Sequence, residues 1–142
     1  MTELYNTDIL RWTTRIPYTT RLVDADVTVT KTSRICGSRI SVDAVISNGA
    51  ISAFGQNVKA CALGQASAAI VGQNVLGLTS DELADIAERF RSMVKTGEAD
   101  FPEKWVDLAL LAPVVGHPGR HGSVLLPFEC LEGVFAEADH AE

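Results

Sequence analysis

Three cysteines, Cys36, Cys61 and Cys130, and two histidines of one loop, His117 and His121, are the residues of this 142-residue chain best suited to chemistry. Cys36 is followed at once by Gly37, which suggests a bend where a strand ends and a thiol at a loop tip. Cys61 stands just before a segment rich in Ala, Ser and Gly that reads as a helix. A thiol at a helix N-terminus has its thiolate favoured by the dipole and the unpaired N–H groups. That environment suits a metal ligand or a nucleophile. Both cysteines also admit a plainer reading as buried thiols, since free cysteine is among the most buried residue types. Cys130 lies within a C-terminal helical pattern and reads as a packing residue. An odd number of cysteines does not make a disulfide framework. Other catalytic arrangements are thin. Ser67, flanked by Ala66 and Ala68, lacks the glycines of a nucleophile elbow. No G-x-x-x-x-G-K-[ST] loop and no C-x-x-C pair occurs.

The elements that must position these side chains follow from periodicity. Between Cys36 and Cys61 lies a predicted hairpin. Ile40, Val42, Ala44 and Ile46 alternate with Ser41, Asp43, Val45 and Ser47, mostly a period of two. Asn48-Gly49 supplies the two positive φ angles of a tight type I′ turn. Ile51, Ala53 and Gly55 resume the alternation. A hairpin returns the chain close to its start, so the two sulfurs are expected at one end of a sheet, close enough to share an ion. A further strand is predicted from about 22 to 32, where Leu22, Val23, Val27 and Val29 mix with Asp24, Asp26, Thr28 and Thr30.

Helices are predicted on either side. Residues 3–15 place Leu4, Tyr5, Ile9 and Trp12 at helical spacings, and Pro17 ends the run. A small-residue helix runs from Ala62 to Val75. Thr79 to Glu82 reads as a capping box, opening a helix with Leu83, Ile86, Phe90 and Val94 on one face and Gly97 at its end. Leu76, Leu83 and Phe90 are read as core. Phe101-Pro102 opens a helix with Trp105, Leu108, Leu111 and Ala112, ended or kinked by Pro113. Residues 114–122 read as a Gly- and Pro-rich loop. A last helix is predicted from Ser123, as N-cap, to Ala138. Strands first and helices afterwards is the α+β pattern, here a three-stranded antiparallel sheet with helices packed on one face. The length fits one domain spanning residues 1–142.

The net charge of −6 argues against nucleic-acid binding, which needs a basic surface. No apolar run reaches the ~20 residues of a membrane span, and the first residues lack the basic-then-apolar pattern of a signal peptide. The expectation is a cytoplasmic protein without membrane or nucleic-acid partners.

The string from Lys59 to Ile70, KACALGQASAAI, resembles the signature of the iron–sulfur cluster assembly scaffolds of the IscU/NifU N-terminal/SufU family. There the second ligand cysteine precedes a small-residue helix. Cys36-Gly37 matches the family's C-G-D motif, with the same intervening hairpin. The capping box and its helix match the next family helix. Pro118-Gly119-Arg120 followed by Ser123-Val124-Leu125-Leu126-Pro127 resembles the closing motif P-x-R-x-x-C-x-x-L-P. The resemblance runs from about Asp8 to Ala136. It implies an α+β fold and a site of three cysteines and an aspartate, holding a nascent [2Fe–2S] cluster or, in many members, zinc. It also implies a carrier rather than an enzyme, with a cysteine desulfurase and cluster-accepting proteins as partners. In the zinc-dependent branch a cysteine accepts sulfur from the desulfurase.

Two of the four ligand positions depart from that pattern. The aspartate position is Ser38 and the third cysteine position is Ser123. A hydroxyl is a rare ligand for zinc or cluster iron, which favour thiolate, imidazole or carboxylate. Cys36 and Cys61 are the expected cofactor-binding residues. His121, in the loop that should approach them, is a candidate to complete a metal set, and His117 is another. Arg120 would favour thiolates through its charge. Cys130 stands about 10 Å further along the helix than Ser123, at ~1.5 Å per residue, too far to replace it. The expected function is scaffold-like binding and transfer of a cluster, iron or sulfur, with any metal held weakly. The alternatives are a metal-free docking or regulatory module for the desulfurase, and a zinc-bound sulfur acceptor.

Overall fold

The computed structural model describes residues 4–140. Glu3, the first residue of the first predicted helix, lies outside them. Helix α1 (Thr7–Thr13) precedes strands β1 (Val27–Thr32), β2 (Arg39–Ser47) and β3 (Ala50–Lys59). Helices α2 (Ala62–Gln73) and α3 (Ser80–Thr96) follow, then a 3₁₀ segment (Glu103–Gly116), a 3₁₀ turn (Pro118–Arg120) and helix α4 (His121–His140). The sheet is antiparallel in the order β1-β2-β3. Its inward residues, among them Val27, Val29, Ile40, Val42, Ala44 and Phe54, meet the helices in one hydrophobic core. Helix α4 packs across β1 and β2 and against α2, which α1 flanks on another side. This is the expected α+β architecture with helices on one sheet face.

The hairpin forms as its sequence dictates. Asn48 and Gly49 both have positive φ, 55° and 79°. Helix α3 is capped by Thr79, whose Oγ1 accepts from the Glu82 amide at 3.2 Å, and it ends at Gly97 in the left-handed region. Leu83, Ile86, Phe90 and Val94 are buried as expected. Only half of the capping box is made as drawn: the Glu82 carboxylate accepts from Trp105 Nε1 at 2.9 Å instead of turning back on Thr79.

Several elements differ from expectation. The first strand begins at Val27, not near residue 22, and Val23 is fully exposed. The cause is Asp43, buried on the sheet face away from the helices. It accepts from Arg21 Nε and Nη2, the Leu22 amide and Thr28 Oγ1 at 2.6–3.0 Å. These bonds hold residues 21–22 over the sheet instead of within it. Strand β3 reaches Lys59, further than Gly55. Tyr5 and Leu76 are exposed; at the α2–α3 turn Val75 and Leu78 enter the core instead. The segment after Pro102 is 3₁₀, not α, and continues through Pro113 to Gly116. The predicted loop 114–122 is therefore mostly helical, and α4 starts at His121, placing Ser123 inside its first turn instead of at its cap.

Candidate functional site

The site is assembled from three places in the chain. The β1–β2 turn supplies Ser33, Cys36 and Ser38. Its amide of Gly37 donates to the Ser33 carbonyl, and the Ser33 amide donates to the Ser38 carbonyl, both at 2.8 Å. Gly37 takes a φ of 73°, which a non-glycine residue rarely adopts. The end of β3 and the start of α2 supply Cys61. The first turn of α4 supplies Ser123.

Together they form a chain of short polar contacts. Cys36 Sγ lies 3.3 Å from Ser33 Oγ and 3.2 Å from Ser38 Oγ. Ser38 Oγ lies 3.1 Å from Ser123 Oγ, and Ser123 Oγ lies 3.3 Å from Cys61 Sγ. The serines are buried and both cysteines are half-buried. The two thiols are thus joined by two hydroxyls at one end of the sheet.

Close backbone approach makes this possible. A Cβ on Gly64 would collide with Ser123 Oγ and with Ala60. A Cβ on Gly122 would collide with Ser33 Oγ. Bare glycines therefore let α2 and α4 close on the serines. Ser67, also on α2, donates its hydroxyl to the Val124 carbonyl at 2.7 Å and ties the same two helices together.

Electrostatics separates the cysteines. Partial burial raises the Cys36 pKa, but the hydroxyls of Ser33 and Ser38, turning to donate to the thiolate, outweigh it, and the result is about 7. Burial pushes the Cys130 thiol up to about 12. Cys130 Sγ faces the Ile40 carbonyl at 3.5 Å, as a packing residue should. Cys61 occupies the N-cap of α2, yet its side chain makes no capping hydrogen bond. Its sulfur faces Ser123 instead of the helix amides.

The histidines lie elsewhere. His121 donates Nε2–H to the Val114 carbonyl at 2.7 Å, so its ring braces the 3₁₀ segment. Among the described residues no three His, Cys, Asp or Glu side chains stand together as a metal site. His121 therefore does not complete a ligand set with Cys36 and Cys61. His117 and Arg120 are exposed. A resident zinc ion needs four thiolate, imidazole or carboxylate donors in a closed site. Two thiols and two hydroxyls do not fit it. Ser33 was not singled out from the sequence. Its signal is local, a serine three residues before a cysteine in a Gly-containing turn.

No family model and no curated protein matches this chain. Solved structures do. One similar structure is the N-terminal part of a nitrogen-fixing NifU-like protein from Brucella abortus. It is 30% identical, with a TM-score of 0.93 over 98% of this chain and 96% of that one. A second, assigned as an iron–sulfur cluster assembly scaffold of the SUF system from Fervidobacterium islandicum, is 19% identical and shares the fold. Its TM-score is 0.81, over 91% of this chain and 94% of that one. With nearly a third of its residues identical across the full NifU-like domain, this chain belongs to the IscU/NifU N-terminal/SufU-like family.

Proposed function

We propose that this protein is a scaffold-type carrier of iron–sulfur cluster assembly, in which Cys36 and Cys61 hold sulfur, iron or a nascent cluster in transit. The observation that carries this reading is the joining of the two thiols through Ser38 and Ser123. The motif resemblance assigns the four side chains to the family's ligand positions, which supports the reading. Both cysteines remain partly accessible. The chain offers two thiolates where a [2Fe–2S] cluster takes four ligands. An external thiol or a second protein supplies the others, and the cargo is held loosely. A cysteine desulfurase as sulfur source and a cluster-accepting protein as recipient are the partners this role requires. The protein carries and does not itself catalyse.

A second reading draws on a different observation. Among the described residues no buried side-chain polar atom lacks a hydrogen-bond partner. Ser38 and Ser123 satisfy one another without an ion. On this reading the protein is a metal-free docking or regulatory module for the desulfurase.

Anaerobic expression followed by iron and acid-labile sulfide assays on the freshly captured protein separates the two. The carrier reading expects both elements, lost together in the Cys36→Ser/Cys61→Ser variant. Protein free of iron and sulfide that still binds a desulfurase would put the docking reading ahead.

A further inference from the structure

The chain is acidic, yet its acids avoid one region. From Val27 to Ser80 the only carboxylate is Asp43, and Arg21 and Thr28 hold it beneath the surface. Lys31, Arg34, Arg39 and Lys59 fall in the same stretch. On the sheet face away from the helices, Arg39 of β2 pairs directly with Lys59 of β3, and Ser41 pairs with Asn57 one step along. Like charges directly opposite on a sheet repel. Among the described residues neither Arg39 nor Lys59 has an acidic partner. A cavity of about 130 Å³ opens here, lined by Arg21, Arg39, Ser41, Asn57 and Lys59. Arg21 gives Nε and one Nη to Asp43, which leaves its other Nη free for the cavity.

We propose that this cavity is a binding site for one phosphate-class tetrahedral oxyanion. Three observations meet in it. Two opposed cations lack a counter-ion, and an anion between them turns their repulsion into attraction. The neutral lining, a hydroxyl and a side-chain amide, can donate hydrogen bonds. Guanidinium groups match the geometry of such oxyanions, and an ammonium adds a point charge. At about 130 Å³ and open to solvent, the cavity has room for one such ion. Arg39 directly follows Ser38, and Lys59 lies one residue from Cys61's neighbour Ala60, so the anion would sit behind the thiol site on the opposite sheet face. The site stands independently of what the thiols carry. Its ligand is either free phosphate or the phosphoryl group of a larger molecule.

The test is an NMR titration of the full chain with inorganic phosphate, at ionic strength held constant with sodium chloride. Saturable shifts are expected at Arg39, Ser41, Asn57 and Lys59. Arg39→Gln and Lys59→Gln should each weaken binding about tenfold, as loss of a charge-assisted bond implies. Lys95→Gln on α3 should leave it unchanged. Both test residues are exposed, so the variants keep their fold, which the same spectra verify. O-phosphoserine distinguishes the sources: equal binding points to free phosphate, and tighter binding at the same residues points to a phosphorylated molecule. Shifts that do not saturate, that spread equally to Lys95 and Lys104, or that survive both substitutions would overturn the site.

Discussion

Ser38 and Ser123, 85 residues apart in the chain, place their hydroxyl oxygens 3.1 Å from one another, and each also reaches a cysteine sulfur. By the motif resemblance these are the positions of the family's aspartate and third cysteine, so on the proposed reading a hydrogen bond stands where two ligands would otherwise converge on an ion. The double change Ser38→Asp/Ser123→Cys is expected to raise retained zinc or reconstituted cluster from well below stoichiometric to about one per chain, because it restores a four-ligand set. Metal per chain after gel filtration is the measurement. Adding His121→Ala should change nothing, since that ring is held by Val114. Chelator-resistant, stoichiometric metal in the unaltered protein would contradict this account of the ligands. So would a folded double variant that gains none.

Cys36 should be the reactive thiol at neutral pH. With a pKa of about 7 its alkylation rate should rise through a midpoint near pH 7, while Cys130, pushed up to about 12, stays unmodified in the folded protein. Ser33→Ala removes one donor to the thiolate, so the midpoint should move upward and the rate at pH 7 should fall severalfold. Mass spectrometry of quenched samples reports both sites at once. Faster labelling of Cys130 than of Cys36 would refute the assignment.

Gly64 should tolerate no side chain. Gly64→Ala drives a methyl into Ser123 Oγ and Ala60. Overpacking of this kind costs about 1–3 kcal/mol. Ser123→Ala removes one of the two obstructions, so the pair should be coupled favourably in a double-mutant cycle. Urea unfolding of the four proteins provides the numbers, and strict additivity would mean that the helices shift to absorb the methyl.

Asp43 should make the fold sensitive to acid. Hydrogen bonds from Arg21 hold its pKa at about 2, below the ordinary 3.8, against the opposing effect of burial. A depressed carboxylate stabilises the fold fully above its unfolded-state pKa, and the contribution is lost as pH falls from about 4 through about 2. The amount is on the order of 2 kcal/mol. Asp43→Asn should lower stability at pH 7 by roughly that much, and its profile between pH 5 and 2 should be flatter. Parallel profiles for the two proteins would show that other carboxylates govern the acid limb.

Legibility in the sequence tracked how local the cause was. The hairpin was readable because Asn48-Gly49 dictates its own turn. Helix α3 was readable because Thr79, the apolar face and Gly97 all lie within it. The start of β1 was not, because the competitor is Asp43, a distant side chain that pulls Arg21 and Leu22 off the ladder. The 3₁₀ segment did carry a signal. Trp105, Leu108, Leu111 and Val114 are buried at every third position, the period of that helix. Reading Ala112 in place of Val114 hid it. At the site, motif order brought Cys36, Cys61, Ser38 and Ser123 into one reading. His121 sat at a plausible distance in sequence, but its ring orientation depends on a carbonyl seven residues away, which no spacing rule contains.

The hairpin that links the two cysteines also sets an order of events during synthesis. Cys61 leaves the ribosome well before Ser123, which closes over it from a position 62 residues later. A two-stranded hairpin alone is barely stable in water. Until α4 docks, the thiols have neither their fixed spacing nor the glycine-lined contact with the serines. The nascent chain thus passes through an interval in which Cys36 and Cys61 are exposed to oxidants. Pulse alkylation during refolding should find Cys130 becoming protected at the same moment that the labelling rate of Cys36 settles to its native value, since α4 carries Cys130 and Ser123 into place together.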